Sequence, residues 1–354
     1  MSGVRRFVVH GRNTANLDRA LGFYRDALGC RVIDMHGAVP RWARLLATMP
    51  ARCAGLALGN ERIELLEFAA CTPYPALPAA SDPWFQHCAI VVSDMEAAHR
   101  HVVDLGGVRI TRGGPQLLPP GNGSVTAFKF RDPDGHPLEL IAFPAGSGDP
   151  EWQARRKQAV TLGIDHSAIC VADSARSIAF YELLGFRVVA RTVNHGGAQE
   201  RRDGLPGVEV EVIAMQASAR TPHLELLAYR HPRGRPASCD EVTAIAADRL
   251  TWRTAGVGEL LRALRQSAFG NSILATGRVD AASVAMLRDP DGHLVVLLGQ
   301  EKGSPPEARR SAAPPGSAQP RKPRSRWVKL PMLGATRARS ASCTPNQRAR
   351  VAAY

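Results

Sequence analysis

The chain of 354 residues lacks long apolar runs, closely spaced cysteines and a recognisable leader segment. No stretch approaches the ~18 uninterrupted apolar residues of a membrane-spanning helix. The first residues include two arginines but neither a long apolar core nor a small-residue cleavage site, so no secretory signal is predicted. The seven cysteines form no CxxC pair, which disfavours a disulfide scaffold and a thiolate zinc site. These absences favour a reducing, cytoplasmic location.

Acidic residues are almost missing from the last part of the chain. Residues 303–354 contain eleven Lys or Arg and one acid, Glu307, whereas the preceding 302 residues carry a charge of only +3. The net charge of +13 therefore belongs mainly to this tail. The tail is rich in Pro, Ser, Ala and Arg, and a segment with so little apolar surface is predicted to be disordered. It is either a solvated extension or a weak electrostatic arm for nucleic acid.

The rest of the chain consists of two repeats. Phe23-Tyr24 recurs as Phe180-Tyr181, and the DPDGH sequence at 132–136 recurs at 289–293, each 157 residues later. A polar linker at 144–162, with room for one or two helical turns, separates two predicted domains at 1–143 and 163–300. A finer repeat divides each domain again. The resulting four modules are 4–69, 84–143, 163–229 and 247–299.

Each module shows the same order of predicted elements. A short β-rich run precedes a helical pattern, clearest at Asp173–Leu184, where Ser174 or Asp173 is positioned to cap the helix. Further strands follow, and the last one is short and apolar. The DPDG sequence predicts a turn, because Pro presets φ and Gly accepts positive φ. A βαβββ unit of this kind cannot cover its own sheet, so we expect the modules to pair side by side.

The modules resemble the vicinal oxygen chelate superfamily, which includes glyoxalase I, extradiol dioxygenases and bleomycin-resistance proteins. The match is carried by His166–Phe186, by His87–Asp94 and by RDPDGHPLELIAF at 131–143. The resemblance covers about 1–300 and implies an α+β fold, in which four βαβββ modules form two glyoxalase-like domains. It is specific for the fold and much less specific for the reaction.

The resemblance also implies a divalent metal, held inside a half-open barrel by residues of the first and last strands of the modules. The matching last-strand positions are Glu64, Glu139, Glu225 and Val296. The matching first-strand positions are Val9, His87, His166 and, in module four, Asp248 or Arg249. His10 is displaced by one residue and reaches the site only through a bulge, since a slip of one residue reverses the face of a strand. Imidazole and carboxylate ligands suit Zn, Ni, Co, Mn or Fe.

The pairing of the modules decides which of these ligands meet. If neighbours pair, modules one and two offer Glu64, His87, Glu139 and, with a bulge, His10. If the two halves exchange partners, modules two and three collect the complete quartet of His87, Glu139, His166 and Glu225. We favour the exchange, because the losses in modules one and four then belong to a single inactive site. One chain is then a pseudo-dimer, although a homodimer also fits the resemblance.

The activity implied is that of a glyoxalase-type isomerase or lyase acting on a small, metal-chelating oxygenated substrate. The metal would act as a Lewis acid that stabilises a developing enediolate, and Glu225 or Glu139 would move the proton. One alternative is an extradiol ring-cleaving dioxygenase with Fe(II), which uses two histidines and one carboxylate. Another is a metal-free, resistance-type protein that binds a small molecule.

Some polar residues have no place in the resemblance. His136 and His293 follow the DPDG turns and are interpreted as turn residues. Arg201 and Arg202 are interpreted as solvated charge, with contact to an anionic substrate as the alternative, and His223 has no assigned role. We expect the loops at 35–55, 107–124 and 190–207 to shape the substrate pocket.

Overall fold

The computed structural model describes residues 3–300, apart from 36–40, 47, 75–77, 120–122, 236–240 and 280–281. The tail at 303–354, predicted to be disordered, lies outside these residues. Among the helices that the structure describes, none is long and apolar enough to cross a membrane. The cysteines of the described part, at positions 30, 53, 71, 88 and 170, form no disulfide with one another.

The modules follow the expected order of strand, helix and further strands. Module one contains β1 (Val4–Thr14), α1 (Leu17–Asp26), β2 (Arg31–Met35), β3 (Arg52–Leu58) and β4 (Glu61–Glu67). Module two contains β5 (Gln86–Val92), α2 (Met95–Asp104), β6 (Val108–Arg109), β7 (Gln116–Leu117), β8 (Thr126–Arg131) and β9 (Pro137–Ala142). The linker forms one short helix, α3 (Pro150–Arg155), as its composition allowed.

The second half repeats this order with one addition. Module three contains β10 (Thr161–Cys170), α4 (Ser174–Leu183), β11 (Arg187–His195), α5 (Gly197–Asp203), β12 (Glu209–Gln216) and β13 (His223–His231). Module four contains β14 (Arg249–Thr254), α6 (Val257–Arg265), β15 (Ile273–Val279), β16 (Ala282–Arg288) and β17 (Leu294–Leu298). The described residues also include 3₁₀ turns at Arg41–Leu45 and Gly270–Ser272. The sequence did not predict α5, which lies within the loop expected at 190–207.

The first three modules begin their main helix with the same cap. The side chains of Asn16, Asp94 and Asp173 each accept a hydrogen bond from the backbone N–H three residues later, at 2.9–3.0 Å. Such a cap satisfies an N–H group that the helix itself leaves unpaired. Gly256 holds this position in module four and provides no side-chain cap. The helix start predicted at Asp173 is confirmed.

The strands form two sheets, each built from modules that are not neighbours in the chain. The first sheet has the order β15-β16-β17-β14-β1-β4-β3-β2, which joins modules one and four. The second sheet has the order β11-β12-β13-β10-β5-β9-β8-β6, which joins modules two and three, and β7 adds to β8. The first strands of the paired modules run antiparallel, β1 with β14 and β5 with β10. The exchanged pairing is therefore confirmed, and the pairing of neighbours is wrong.

The main helices pack in two cores that draw apolar side chains from both sheets. One core surrounds Phe23 of α1 and Val102 of α2, with Leu65 from the first sheet and Leu140 from the second. The other core surrounds α4 and α6 in the same way. Because side chains alternate along a strand, the opposite face of each sheet is left for a cleft.

A buried polar network joins the four modules. His10 of module one hydrogen-bonds through Nδ1 to Ser167 of module three at 3.1 Å, and through Nε2 to Asp248 of module four at 3.0 Å. Asp248 also pairs with Arg12 at 3.3 Å and with His136 of module two at 3.1 Å. All five side chains are buried. His10 and Asp248 therefore belong to this junction.

Candidate metal centre

The register of the second sheet places four ligand candidates on one face. Ala89 of β5 pairs with His166 of β10 on one side and with Glu139 of β9 on the other. Two residues away, Ala168 of β10 pairs with His87 and, on its other side, with Glu225 of β13. Residues that pair across strands share a face, as do residues two apart in a strand. The quartet thus forms two rows, each with a small alanine in the middle.

The side chains of the quartet converge at the floor of a cleft. His87 Nε2 lies 3.0 Å from Glu139 Oε2, and His166 Nε2 lies 3.4 Å from Glu225 Oε2. His87, Glu139 and His166 each offer a ligand atom, and these three atoms all lie within 4.8 Å of one another. The cleft has a volume of about 390 Å³ and is lined by Glu139, His166 and Glu225 among others. The set predicted for metal binding is therefore brought together.

The orientation of His166 is fixed by a hydrogen bond at its Nδ1 atom. Its Nδ1 hydrogen-bonds to Asp165 Oδ2 at 2.9 Å, and Trp152 Nε1 donates to the other oxygen of Asp165 at 3.1 Å. This leaves Nε2 directed at Glu225, as expected for a histidine whose second nitrogen is held by a carboxylate. His223 Nε2 lies 3.6 Å from the remaining oxygen of Glu225.

Two buried cations flank Glu139. Arg202 of α5 lies 3.5 Å from Glu139 Oε1 and 3.3 Å from Asp203. Lys129, paired with Glu139 in the sheet register, donates to Asp203 at 2.8 Å. Burial raises the pKa of Glu139, but Arg202 and Lys129 outweigh it and hold that pKa well below its usual range. Arg202 is 9% exposed, so its interpretation as a solvated charge is wrong.

The histidines differ in their charge preference. Burial lowers the pKa of His166, but Glu225 and Asp165 outweigh it and raise the pKa to about 9. Burial, together with Lys129, lowers the pKa of His87 to about 4. Burial raises the pKa of Glu225, yet the facing His166 outweighs it and holds the pKa at about 2. The charges on these side chains therefore favour a positively charged group between His166 and the carboxylates.

These residues fit a divalent metal in three respects. The donor set contains only imidazole and carboxylate groups, which suit first-row divalent cations. Two of its atoms, His87 Nδ1 and Glu139 Oε1, have no hydrogen-bond partner although both are buried. Negative charge is also in surplus, because the four carboxylates of Glu139, Asp165, Asp203 and Glu225 outnumber the cations Lys129 and Arg202, even when His166 is protonated.

The first sheet has a different set at the corresponding positions. Gly11 of β1 pairs with Arg249 and Glu64, as Ala168 pairs with His87 and Glu225. In the neighbouring row, Thr251 pairs with Val9 and Val296, which replace His166 and Glu139. Of the two module-four candidates, Arg249 holds the ligand position. Glu64 and Arg249 are the only charged side chains among these four replacements.

Comparison with known proteins identifies the family to which this fold belongs. A sequence profile described as the Glyoxalase/Bleomycin resistance protein/Dioxygenase superfamily matches residues 6–140 and 163–297. The chain belongs to this superfamily. Both matched ranges contain two of the βαβββ modules, in agreement with the resemblance found in the sequence.

Individual members differ in what they share with the chain. A 2-epi-5-epi-valiolone epimerase from Actinomyces sp. is 36% identical over 141 residues, which cover 37% of this chain and 76% of the epimerase. Maize glyoxalase I superposes with a TM-score of 0.55 at 19% identity, over 83% of this chain and 92% of its own. A candidate dioxygenase from Bacillus subtilis superposes with a TM-score of 0.51 at 12% identity, over 84% of this chain and 86% of its own. The two structures show likeness of fold alone.

Sequence reasoning missed several polar residues around the quartet, namely Lys129, Asp165, Arg202, Asp203 and His223. Asp165 precedes His166 directly, and this adjacency was a usable signal for a residue that orients it. The others come from strands and a helix whose positions depend on the sheet register. The loop at 190–207 was nevertheless expected to shape the pocket, and Thr192, Asn194 and Arg202 line the cleft.

Proposed function

We propose that the chain is a metal-dependent enzyme that transfers a proton at a carbon next to the carbonyl group of a small oxygenated substrate. The observation that supports this most is the quartet of His87, Glu139, His166 and Glu225 on one face of the second sheet. All four side chains come from a single chain, so the proposed site needs no second copy.

The four side chains would hold one divalent metal from Zn, Ni, Co, Mn and Fe. When bound, such an ion supplies Lewis acidity, which favours negative charge on a substrate oxygen. Glu139 and His87 suit the role of metal ligands, because both side chains are almost fully buried. Arg202 also holds Glu139 in place through the Oε1 atom of the carboxylate.

Glu225 is the better candidate for the proton-transferring base. Its side chain is 21% exposed, whereas that of Glu139 is 3% exposed, so Glu225 is more accessible from the cleft. The facing His223 ring, 3.6 Å away, can exchange a proton with the carboxylate and then with solvent. Of the two glutamates expected to be catalytic, Glu225 is thus proposed as the base and Glu139 as a metal ligand.

The shape of the cleft supports a small substrate. A volume of about 390 Å³ lies at the lower end of the range of small-molecule sites. Its walls are apolar at Val125, Ile141, Phe143 and Val212, and these side chains would keep water from the reacting carbon. Asn194 contributes a buried amide oxygen without a hydrogen-bond partner, which can accept from a substrate hydroxyl.

The names of the relatives are compatible with this chemistry. The Actinomyces relative is an epimerase, which inverts a stereocentre, and the maize structure is a glyoxalase I. Both reactions can proceed by removing a proton from a carbon beside a carbonyl group and returning a proton afterwards. A ring-cleaving dioxygenase is less favoured, because the quartet offers a second carboxylate beyond the two-histidine, one-carboxylate set of that chemistry.

The proposed reaction is tested by proton exchange in D₂O with the metal-loaded full-length protein. Methylglyoxal with glutathione and 2-epi-5-epi-valiolone are the substrates, and NMR follows deuterium at the carbon next to the carbonyl. We expect exchange with at least one of them, and its loss in Glu225→Gln with metal still bound. Oxygen uptake with a catechol and Fe(II), without exchange, would instead indicate a dioxygenase. Absence of bound metal together with tight binding of either compound would indicate a binding protein.

A further inference from the structure

The first sheet has its own cleft, on the face that corresponds to the metal centre of the second. This first-sheet cleft has a volume of about 250 Å³ and is lined by Val8, Val9, Trp42, Cys53 and Glu64 among others. Two of the four ligand positions are valines, so the metal quartet cannot form here. The other two, Glu64 and Arg249, are charged, and each has buried polar atoms without a hydrogen-bond partner: Glu64 Oε2, and Nε and Nη2 of Arg249.

Arg249 has hydrogen-bond donors that the protein itself leaves unpaired. Its Nη1 donates to Asn13 Oδ1 at 2.7 Å and to the carbonyl of Ala247 at 3.1 Å. Its Nε and Nη2 are buried and have no hydrogen-bond partner. Leaving two donors of a charged group unpaired in the interior is costly, because the group has lost its water. Nε and Nη2 form one edge of the guanidinium, and such an edge matches the two oxygens of a carboxylate.

Neighbouring groups complete a binding surface. Thr251 Oγ1 is buried without a partner two residues along β14, on the same face as Arg249. Glu64 Oε2 is likewise unpartnered and lies two strands from Arg249 in the same row, roughly 10 Å across the backbone. Gly11 lies between them, and a Cβ there would come within 3.2 Å of Arg249 Nε. The glycine therefore leaves the space that the guanidinium occupies.

We propose that the first-sheet cleft binds a small carboxylate that also carries a hydroxyl or ammonium group. The carboxylate is held by the Nε and Nη2 edge of Arg249, with Thr251 as an additional donor. Glu64 takes the hydroxyl or ammonium group. One arginine and one glutamate thus replace the metal quartet, and the two clefts of the chain bind ligands of different kinds.

Trp42 controls access to this site. It lies on the 3₁₀ turn Arg41–Leu45, lines the cleft, and places its ring 5.4 Å from the guanidinium of Arg249. Since Arg249 is fully buried, a ligand reaches it only when the Trp42 ring shifts. Binding should therefore change tryptophan fluorescence, and Trp42→Phe should remove the change while retaining the heat of binding.

Calorimetry on the full-length protein tests the proposal with four defined probes. Glycolate and L-lactate carry both groups, acetate lacks the hydroxyl, and 1,2-propanediol lacks the carboxylate. We expect saturable binding of glycolate or lactate at one site per chain, weaker binding of acetate, and none of the diol. Glu64→Gln should reduce the preference for glycolate over acetate.

Variants of Arg249 decide where the probe binds. Arg249→Met should abolish binding, and Arg249→Lys, which keeps the charge but loses the paired donors, should weaken it at least about tenfold. If the methionine variant fails to fold, the lysine variant and Glu64→Gln carry the test. Metal content should stay at the wild-type level in these variants, which separates this site from the proposed active site.

Two results would overturn the proposal. If neither glycolate nor lactate binds saturably, only water pairs with the free donors of Arg249. Binding that persists in the Arg249 variants but disappears in His166→Ala would place the probe at the metal centre instead.

Discussion

At the scale of single residues, the proposed metal centre depends on a balance of charge around Glu139. Arg202 lies 3.5 Å from this carboxylate and would compete with a metal ion for it. The neighbouring Arg201 points elsewhere and donates to Gln116 at 2.6 Å. The two arginines differ by one position, yet only one of them belongs to the site.

Arg202→Met should therefore raise the affinity for metal by about tenfold or more. A guanidinium and a divalent cation ~5 Å apart repel by roughly 6–7 kcal/mol at an effective dielectric constant of about 20, and the substitution removes this repulsion. Competition with a chromophoric chelator measures the affinity, and Arg201→Met is the matched control. Equal affinities for the two variants would show that Arg202 does not oppose the metal.

The resemblance to the superfamily implied the four side chains of this candidate centre. The family pattern picked out His87, Glu139, His166 and Glu225, and the structure places these side chains on one face. The role of Arg202 could not be predicted in the same way, because its burial follows from α5, a helix with no signal in the pattern. His10 seemed close to a ligand position, but the face of β1 turns it into the junction with Ser167 and Asp248.

At the scale of elements, β4 and β10 belong to different sheets and meet through one carboxyl group. Glu61 at the start of β4 accepts a hydrogen bond from the backbone N–H of Ile164 in β10 at 3.1 Å. Gly163 precedes this residue, and a Cβ there would collide with Glu61 and Trp152. Burial raises the pKa of Glu61 from 4.5 to about 7.

This raised pKa predicts a pH-dependent stability. The folded state binds more protons than the unfolded state between pH 4.5 and about 7, so stability falls as the pH rises through that window. Glu61→Gln keeps an acceptor for Ile164 and cannot ionise. It should be more stable than the wild type by about 3 kcal/mol at about pH 8, and nearly equal near pH 4.5.

Urea unfolding across this pH range measures the difference. Glu61→Ala provides the control, because it removes the acceptor as well as the charge and leaves the N–H of Ile164 unpaired. It should be less stable than Glu61→Gln at every pH. A wild-type pH profile that Glu61→Gln reproduces unchanged would contradict the account of Glu61.

Elements with local sequence signals could be predicted, and elements without such signals could not. Caps such as Asp173 and the DPDG turns act within a few residues, so the sequence alone predicted where α4 begins. The helix α5 begins at Gly197 without a side-chain cap and is only seven residues long, so no local pattern indicates it. Its position depends on contacts with distant parts of the chain, such as the hydrogen bond from Thr111 Oγ1, in the loop between β6 and β7, to the carbonyl of Arg202 at 2.8 Å.

At the scale of the whole molecule, the exchange of modules is the main feature. The offset of 157 and the finer repeat within each half established four similar modules but gave no preference between pairings. The location of the missing ligands in modules one and four favoured the exchange, and the strand order confirmed it. The junction of His10, Arg12, His136, Ser167 and Asp248 could not be predicted, because its members are spread over all four modules.

Asp248→Asn should destabilise the fold by about 3–5 kcal/mol. Asp248 pairs with Arg12 and two histidines in the buried junction, and removing one partner of a buried charge leaves the other uncompensated. Urea unfolding at neutral pH measures the loss. The exposed pair Glu96 and Arg100 offers a control, since Glu96→Gln should cost no more than about 0.5 kcal/mol. Equal costs would show that the junction does not stabilise the exchanged assembly.

The central claim is that modules two and three together hold one metal per chain, and elemental analysis of dialysed variants tests it most directly. The wild type should retain one equivalent of a divalent metal. His87→Ala and His166→Ala, in different halves of the sequence, should each lose it, while Glu64→Ala should keep it. A full equivalent in His166→Ala, together with loss in Glu64→Ala, would contradict this account.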